Sequence, residues 1–272
     1  VSGYVTRFAP SPTGYLHLGH AYSAVTAFEA AQNAGGRFLL RIEDIDTMRC
    51  KPEFEAAIHE DLAWLGLEWE SPVRRQSEHM DDYQAALEML RTKGLLYRCF
   101  RTRREILDEI GRAPHEAGEV FRSGPLSADE EETRLAAGEP FAWRLWLDAA
   151  MDDDIFFDDT RAGRVKAQPE LLGDVVLGRK DVGVAYHLAV VVDDALQGVT
   201  EVVRGEDLFE ATHIQRLLQH VLDLPTPTYR HHKLIAGPDG KRYAKRDQAA
   251  TLRSLRVTGV SPDAIMASFR TP

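Results

Sequence analysis

From Arg7 to His20 the chain reads R-F-A-P-S-P-T-G-Y-L-H-L-G-H, and this stretch constrains the fold more than any other. A short apolar strand, Tyr4–Phe8, runs into a turn rich in proline and glycine, and a helix begins near His17 and His20. A helix start presents unpaired backbone N–H groups and the positive end of the macrodipole, which together suit a phosphate. The two histidines are three residues apart and share a helical face, so both can reach one phosphate. Gly19 has no side chain, so a flat ligand such as adenine can lie against the backbone there. H-x-G-H alone also fits a plain strand–turn–helix with two surface histidines. The preceding R-F-A-P-S-P-T-G makes the stretch distinctive.

The elements that follow alternate. A helix over His17–Ala34 ends at Gly35-Gly36, and Arg37–Glu43 reads as a second strand. Pro52–Leu65 reads as a helix, with proline in its first turn and Phe54, Ile58, Leu62 and Leu65 at helical spacing. Asp81–Lys93 is a further helix, stopped at Gly94. This βαβα order predicts a parallel sheet covered by helices. A ligand then belongs at the carboxyl ends of the strands, where Arg7–Ser11 and Glu43 fall.

From about Tyr97 to Gly183 the texture changes. A basic helix (Arg103–Gly111), a polar stretch with Pro114 and Pro125, and an acidic helix (Ala128–Ala137) are followed by strand-like pieces around Phe141–Leu147 and Asp154–Asp158. This region reads as an inserted α+β subdomain. The sheet is expected to resume with strands over Ala185–Asp193 and Glu201–Arg204, followed by a helix over Thr212–Leu222. A loop and short helices finish the chain. The expected division is a split α/β domain (1–96 and 184–230), the insertion (97–183) and a C-terminal region (231–272).

Four ordered stretches resemble motifs of the class I aminoacyl-tRNA synthetases, in their glutamyl branch. The Arg7–His20 stretch resembles the HIGH signature, and Arg37–Asp46 the second strand and its turn. Tyr186–Asp194 with Val202–Leu208 resembles the later strands and substrate loop. Arg242-Tyr243-Ala244-Lys245-Arg246 resembles a degenerate KMSKS loop, with arginine for the first lysine and alanine for the usual serine. The likeness is weakest from about Arg101 to Lys180. It implies a Rossmann-like nucleotide-binding fold with a parallel sheet, an insertion and a KMSKS-type helical region. The chain stops at Pro272, where a full glutamyl synthetase continues, so no anticodon-binding domain is expected. This length resembles the shortened branch that places glutamate on queuosine in tRNA(Asp).

The resemblance implies amino-acid activation, in which a carboxylate attacks the α-phosphate of ATP and pyrophosphate leaves. Such a site aligns reactants and neutralises charge, and needs no side-chain nucleophile. His17 and His20 would donate near the α-phosphate, with Gly19 and Arg242 in the ATP site, and Lys245 would reach the departing phosphates. Mg²⁺ is implied with the ATP, since it bridges phosphate oxygens. Carboxylates call for the arginine fork, and Arg7 and Arg204 match the family's glutamate contacts. Glu43 would meet the ammonium, while Ser11 and Tyr186 offer hydroxyls. Arg7 and Glu43 also fit a salt bridge between neighbouring strand ends. Asp44 and Asp46 fit capping and loop roles. Asp193 and Asp194, at the end of an apolar run, fit either orienting Arg204 or holding loop geometry.

Related proteins often carry zinc in the insertion, through a C-x-C start and a later tyrosine and cysteine. Cys99-Phe100-Arg101 keeps one ligand, Glu119–Gly124 has no cysteine, and one cysteine near His115 falls short of four donors, so no structural zinc is expected. The formal net charge of −10 argues against non-specific nucleic-acid binding. Phosphate contacts need only a local positive track, however, and Arg98–Arg104, Arg230–Lys233 and Lys241–Arg246 offer three. No run of about 18 apolar residues is present and the N-terminus does not read as a secretory signal. With two cysteines, a cytoplasmic, monomeric enzyme is expected, acting on L-glutamate, ATP and queuosine-bearing tRNA(Asp).

Overall fold

A computed structural model describes residues 3–102, 104–106, 120–152, 154–181, 183–235 and 250–270. The N-terminal half opens β1 (Val5–Phe8), α1 (Leu18–Asn33), β2 (Arg37–Ile42), α2 (Pro52–Trp64), β3 (Arg74–Arg75) and α3 (Met80–Thr92). The three strands form a parallel sheet in the order β1-β2-β3, with Arg7 opposite Leu39. α1 needs a tight return into β2. Gly35 takes a φ of +60°, and a Cβ on Gly36 would lie 2.2 Å from the Tyr4 carbonyl oxygen, so the turn requires both glycines.

β4 (Leu96–Cys99), β5 (Ala142–Leu145) and β8 (Val176–Gly178) make a separate antiparallel sheet, flanked in sequence by α4 (Ala128–Ala136) and the single turn α5 (Leu147–Ala150). A third sheet runs β7-β6-β10-β9, where β6 is Phe156–Asp159, β7 Gly163–Lys166, β9 Glu201–Gly205 and β10 Thr228–His232. β9, β10 and β6 are parallel, so a strand from the 97–183 stretch sits in one sheet with two strands from beyond it. Thr200, just before β9, donates its N–H to the Val5 carbonyl at 2.9 Å and accepts the Val5 N–H on its hydroxyl at 2.8 Å. These bonds set β1 alongside β9, and the strand ends that carry Arg7 and Arg204 come together.

Two sequence expectations are corrected. Ala185–Asp193 is not a strand: Tyr186–Leu196 forms a helix, α6, packed against α3 and against α7 (Phe209–Val221). Every residue from Leu188 to Asp194 is buried, so the valine run meets apolar neighbours on all sides of a helix. Gly198, with a φ of +66°, follows the Gln197 cap and ends it. The loop expected after the Thr212–Leu222 helix contains β10, whose Tyr229, His231 and His232 are buried. Of the expected helix Arg103–Gly111, residues 104–106 are described and helical; the remainder, His115, and the segment bearing Arg242 and Lys245 lie outside the described residues. Among the described residues no helix is long and apolar enough to cross a membrane.

After that segment, α8 (Leu252–Val257) and α9 (Pro262–Arg270) close over α1 and α2. Ile58 and Leu62 on α2 are wholly buried in this cluster, each contributing roughly 1.5–3 kcal/mol. The Leu252 N–H donates to the Leu16 carbonyl at 2.8 Å, and Thr251 pairs with His17, so α8 is tied directly to the start of α1. Arg253 donates to the Tyr15 hydroxyl at 3.0 Å, and Arg256 lies 2.9 Å from Glu60 and 3.6 Å from Asp61. Asp61 is fully buried and neither carboxylate oxygen has a hydrogen-bond partner. Burial pushes its pKa up from 3.8 to about 6, with Arg256 only partly opposing.

Because the native pKa is raised, the folded chain takes up this proton before the unfolded chain does. Stability from Asp61 is therefore gained as pH falls from 7 towards 4, by up to about 3 kcal/mol. Asp61→Asn should remove this slope, so its melting temperature gains on wild type more at pH 7 than at pH 4.5. Parallel melting curves for the two proteins across that range would refute the buried-charge account.

Candidate active site

The carboxyl ends of β1, β2 and β9 open on a cavity of about 530 Å³. It is lined by Arg7, Ser11, His17, Gly19, His20, Glu43, Tyr186 and Arg204, together with Asp207 and Leu234 from the last strands' loops. All eight candidate residues that fall within the described part of the chain thus border one space.

His17 is the N-cap of α1 and accepts the Gly19 N–H on Nδ1 at 3.1 Å; His20 accepts the His17 N–H on its own Nδ1 at 3.2 Å. A ring nitrogen that accepts carries no proton, so each neutral imidazole holds its proton on Nε2. The reciprocal cap therefore fixes both tautomers, with the proton of each ring on Nε2. The rings lie 3.8 Å apart at 32°. A Cβ on Gly19 would sit 3.0 Å from the His17 ring, so the glycine makes room for that capping imidazole.

Arg7 does not pair with Glu43. Its Nε–H and a terminal N–H donate to the two oxygens of Asp194, at 3.0 and 3.4 Å. Arg41, which is completely buried, donates to Asp194 at 2.7 Å and to Glu43 at 3.1 Å. Burial works against the Arg41 charge, but Asp194, Glu43 and Asp193 outweigh it and hold the guanidinium above its usual value. The Asp194 carboxyl is likewise pressed upward by burial and brought below its ordinary value by Arg7 and Arg41. Glu43 is raised, because burial exceeds the pull of Arg41 and Arg7, so it is the member most easily protonated. Asp193 turns the other way, accepting from Arg74 at 2.7 Å, Gln76 at 2.8 Å and Tyr83.

Neither aspartate orients Arg204. Among the described residues its guanidinium donates Nε–H to His231 Nε2 at 3.1 Å, one terminal N–H to Gln215 at 2.9 Å and the other to Thr212 at 2.6 Å. Arg204 is 5% exposed, and among the described residues no carboxylate pairs with it. Arg41, Asp194 and His231 were not legible as site residues from the sequence. Tyr186 opens α6, and its hydroxyl pKa is raised by burial against the opposing charge of Arg204. Asp44 accepts from the Ser77 N–H and hydroxyl, and Asp46 pairs with Arg49 at 2.8 Å, so both serve loops.

In the insertion, Cys99 is buried on β4 and the Arg101 guanidinium lies 5.6 Å from the Phe121 ring centre. Among the described residues no group of three His, Cys, Asp or Glu side chains could hold a metal. Asp174, a buried carboxylate in this region, accepts from the Tyr97 hydroxyl at 2.9 Å and from the N–H groups of Ser123 and Leu147 at 2.9 and 3.1 Å.

The family model for the catalytic domain of class I tRNA synthetases (E and Q) matches residues 4–271. A glutamyl-Q tRNA(Asp) synthetase of Rhodobacter capsulatus is 48% identical over 269 residues, covering 95% of this chain and 96% of that protein. A glutamate–tRNA ligase of Aquifex aeolicus is 39% identical, covering 96% of this chain and 55% of its own length. Among solved structures, a glutamate–tRNA synthetase of Elizabethkingia anophelis superposes with a TM-score of 0.77 at 30% identity, over 94% of this chain and 54% of that one. The chain spans about half the length of that solved relative. A match across nearly every residue, on a fold whose H-x-G-H helix start and strand ends share one cavity, places the chain in the class I aminoacyl-tRNA synthetase family, as a ligase of the glutamyl and glutaminyl type.

Proposed function

We propose that the chain, acting as a monomer, activates L-glutamate with ATP and transfers it to the cyclopentenediol of queuosine in the anticodon of tRNA(Asp). The observation that carries the glutamate half is Arg204, a buried cation held by three neutral acceptors and, among the described residues, paired with no carboxylate. Arg7 and Arg41 are paired with Asp194 and Glu43, so among the described residues Arg204 is the buried arginine of the site left to meet a substrate carboxylate. In this assignment Arg204 holds the side-chain carboxylate, Glu43 the ammonium, and Arg7, Ser11 and Tyr186 the remaining polar atoms.

ATP would enter with Mg²⁺, which would help neutralise its phosphate charge. The glutamate α-carboxylate oxygen bonds to the α-phosphorus and the bond to pyrophosphate breaks. The Nε2–H groups of His17 and His20 stabilise the charge on the α-phosphate oxygens, and Gly19 lies on the adenine side. Arg242 and Lys245 are assigned to the phosphates on the sequence motif alone. In the second step a queuosine hydroxyl oxygen attacks the adenylate carbonyl, its proton is lost to solvent or phosphate, and AMP leaves.

The acceptor assignment is supported by the relatives of similar length, named for glutamyl-Q tRNA(Asp) synthesis, at 42–48% identity. Acylation with labelled glutamate on tRNA(Asp) containing or lacking queuosine tests it. The expected product is an alkali-labile ester that needs queuosine and survives removal of the terminal adenosine. Label that leaves with that adenosine, or equal charging of queuosine-free tRNA, would instead assign the chain to ordinary glutamate–tRNA ligation.

A further inference from the structure

Arg204 on β9 and His231 on β10 are direct register partners, and Asp159 on β6 lies one strand further along the same sheet. His231 is 2% exposed and Asp159 is 4% exposed, and neither borders the cavity. Asp159 Oδ2 stands 2.7 Å from His231 Nδ1, while its Oδ1 accepts the N–H groups of Arg161 and Ala162 at 2.9 and 2.8 Å. Burial presses the Asp159 carboxyl upward, but these N–H donors and His231 outweigh it and keep it below its ordinary value, so it is ionised.

An ionised carboxylate only accepts, so His231 donates from Nδ1 and its Nε2 is a bare lone pair. That lone pair meets the Nε–H of Arg204 at 3.1 Å. Burial, and secondarily the Arg204 charge, bring the His231 pKa down to about 4 despite Asp159, so the ring is neutral at working pH. The stacked Tyr229 ring, 5.8 Å away at 5°, and the Phe209 edge at 5.1 Å fix its plane.

A neutral partner matters here. A carboxylate in the place of His231 would neutralise Arg204, as Asp194 does Arg7, and remove the pocket's preference for an anion. With Nε tied to His231 and one N–H of each terminal nitrogen tied to Gln215 and Thr212, the fork cannot swing. Its two remaining N–H groups then meet a carboxylate, which accepts on both oxygens, better than a carboxamide, whose NH₂ would oppose a donor.

We propose that His231, locked in one tautomer by Asp159, is the positioning residue that sets Arg204 to discriminate glutamate from glutamine. The inference rests on the assignment of Arg204 to the substrate's side-chain carboxylate.

ATP–pyrophosphate exchange with glutamate and with glutamine, on variants checked for wild-type melting, tests it. His231→Leu should lower the glutamate-to-glutamine ratio of kcat/KM by roughly ten-fold or more, through KM for glutamate and with KM for ATP unchanged. His231→Gln retains an acceptor oxygen near the Nε2 position and should keep most of the ratio. Asp159→Asn added to His231→Leu should change the ratio no further, since Asp159 acts through His231. Equal loss in the Leu and Gln variants would mean a packing role, and an unchanged ratio in folded His231→Leu would mean no role; either overturns the inference while leaving the proposed function intact. A wild-type protein that exchanges no pyrophosphate with glutamate overturns the substrate assignment, and this inference with it.

Discussion

Replacing Arg204 with alanine is expected to abolish glutamate-dependent ATP–pyrophosphate exchange while ATP still binds. The substrate carboxylate would lose a fork that the protein holds in place with Thr212, Gln215 and His231 and that no carboxylate among the described residues neutralises. Truncating one partner of a buried, hydrogen-bonded charge pair costs on the order of 2–5 kcal/mol. That corresponds to a loss of roughly 30-fold to several thousand-fold in kcat/KM for glutamate. ATP binding should survive, because the donors assigned to it sit on the first turn of α1. Arg204→Lys keeps the charge but not the planar fork, so it should recover only part of the loss. Exchange at a near wild-type rate in the alanine variant would show that the glutamate side chain binds elsewhere.

Much of this site is legible in the sequence because its parts are local. The reciprocal capping of His17 and His20 spans four residues, and a Pro/Gly turn between an apolar strand and a helix start leaves few alternatives. Arg7, Glu43 and Arg204 fall at strand ends, and the αβ alternation brings strand ends together. What could not be read depends on partners far away in sequence. Asp194 meets Arg7 across 187 positions and Asp193 meets Arg74 across 119, so nothing near α6 reveals that its acidic pair is buried and satisfied. Three successive valines then read as a strand. The contrary signal was the pair of aspartates with Gln197-Gly198 behind them, a helix end rather than a strand end.

β10 was hidden for a similar reason. Arg230–Lys233 reads as a local positive track for phosphates, yet His231 and His232 are buried, and Arg230 is paired with Glu201 at 3.1 Å. Burial of Tyr229 and His231 on either side of the half-buried Arg230 is a period of two, but over three residues that period is too short to distinguish a strand from a turn.

Asp194→Asn is expected to destabilise the fold as well as the site. Asp194 is 6% exposed and takes the charge of both Arg7 and Arg41, of which Arg41 has no contact with water at all. Without it, two buried guanidiniums would be left with Glu43, which burial already pushes towards its neutral form, and with Asp193, 3.6 Å from Arg41 and already engaged by Arg74. Removing one partner from a buried ion-pair network typically costs 3–5 kcal/mol, or on the order of 10 °C in melting temperature for a chain of this size. The pH dependence has a definite sign. Since the native pKa of Asp194 is depressed, its contribution is complete at neutral pH and is lost as acidification passes below the usual carboxylate range. Wild type and variant should therefore differ most at pH 7 and converge under acid. Arg7, released from its anchor, should also bind glutamate less well, so KM for glutamate should rise even at temperatures where the variant stays folded. A variant that melts within about 2 °C of wild type at pH 7 would show that Glu43 and Asp193 neutralise the two arginines unaided, and that the charge balance of the pocket is not the one described.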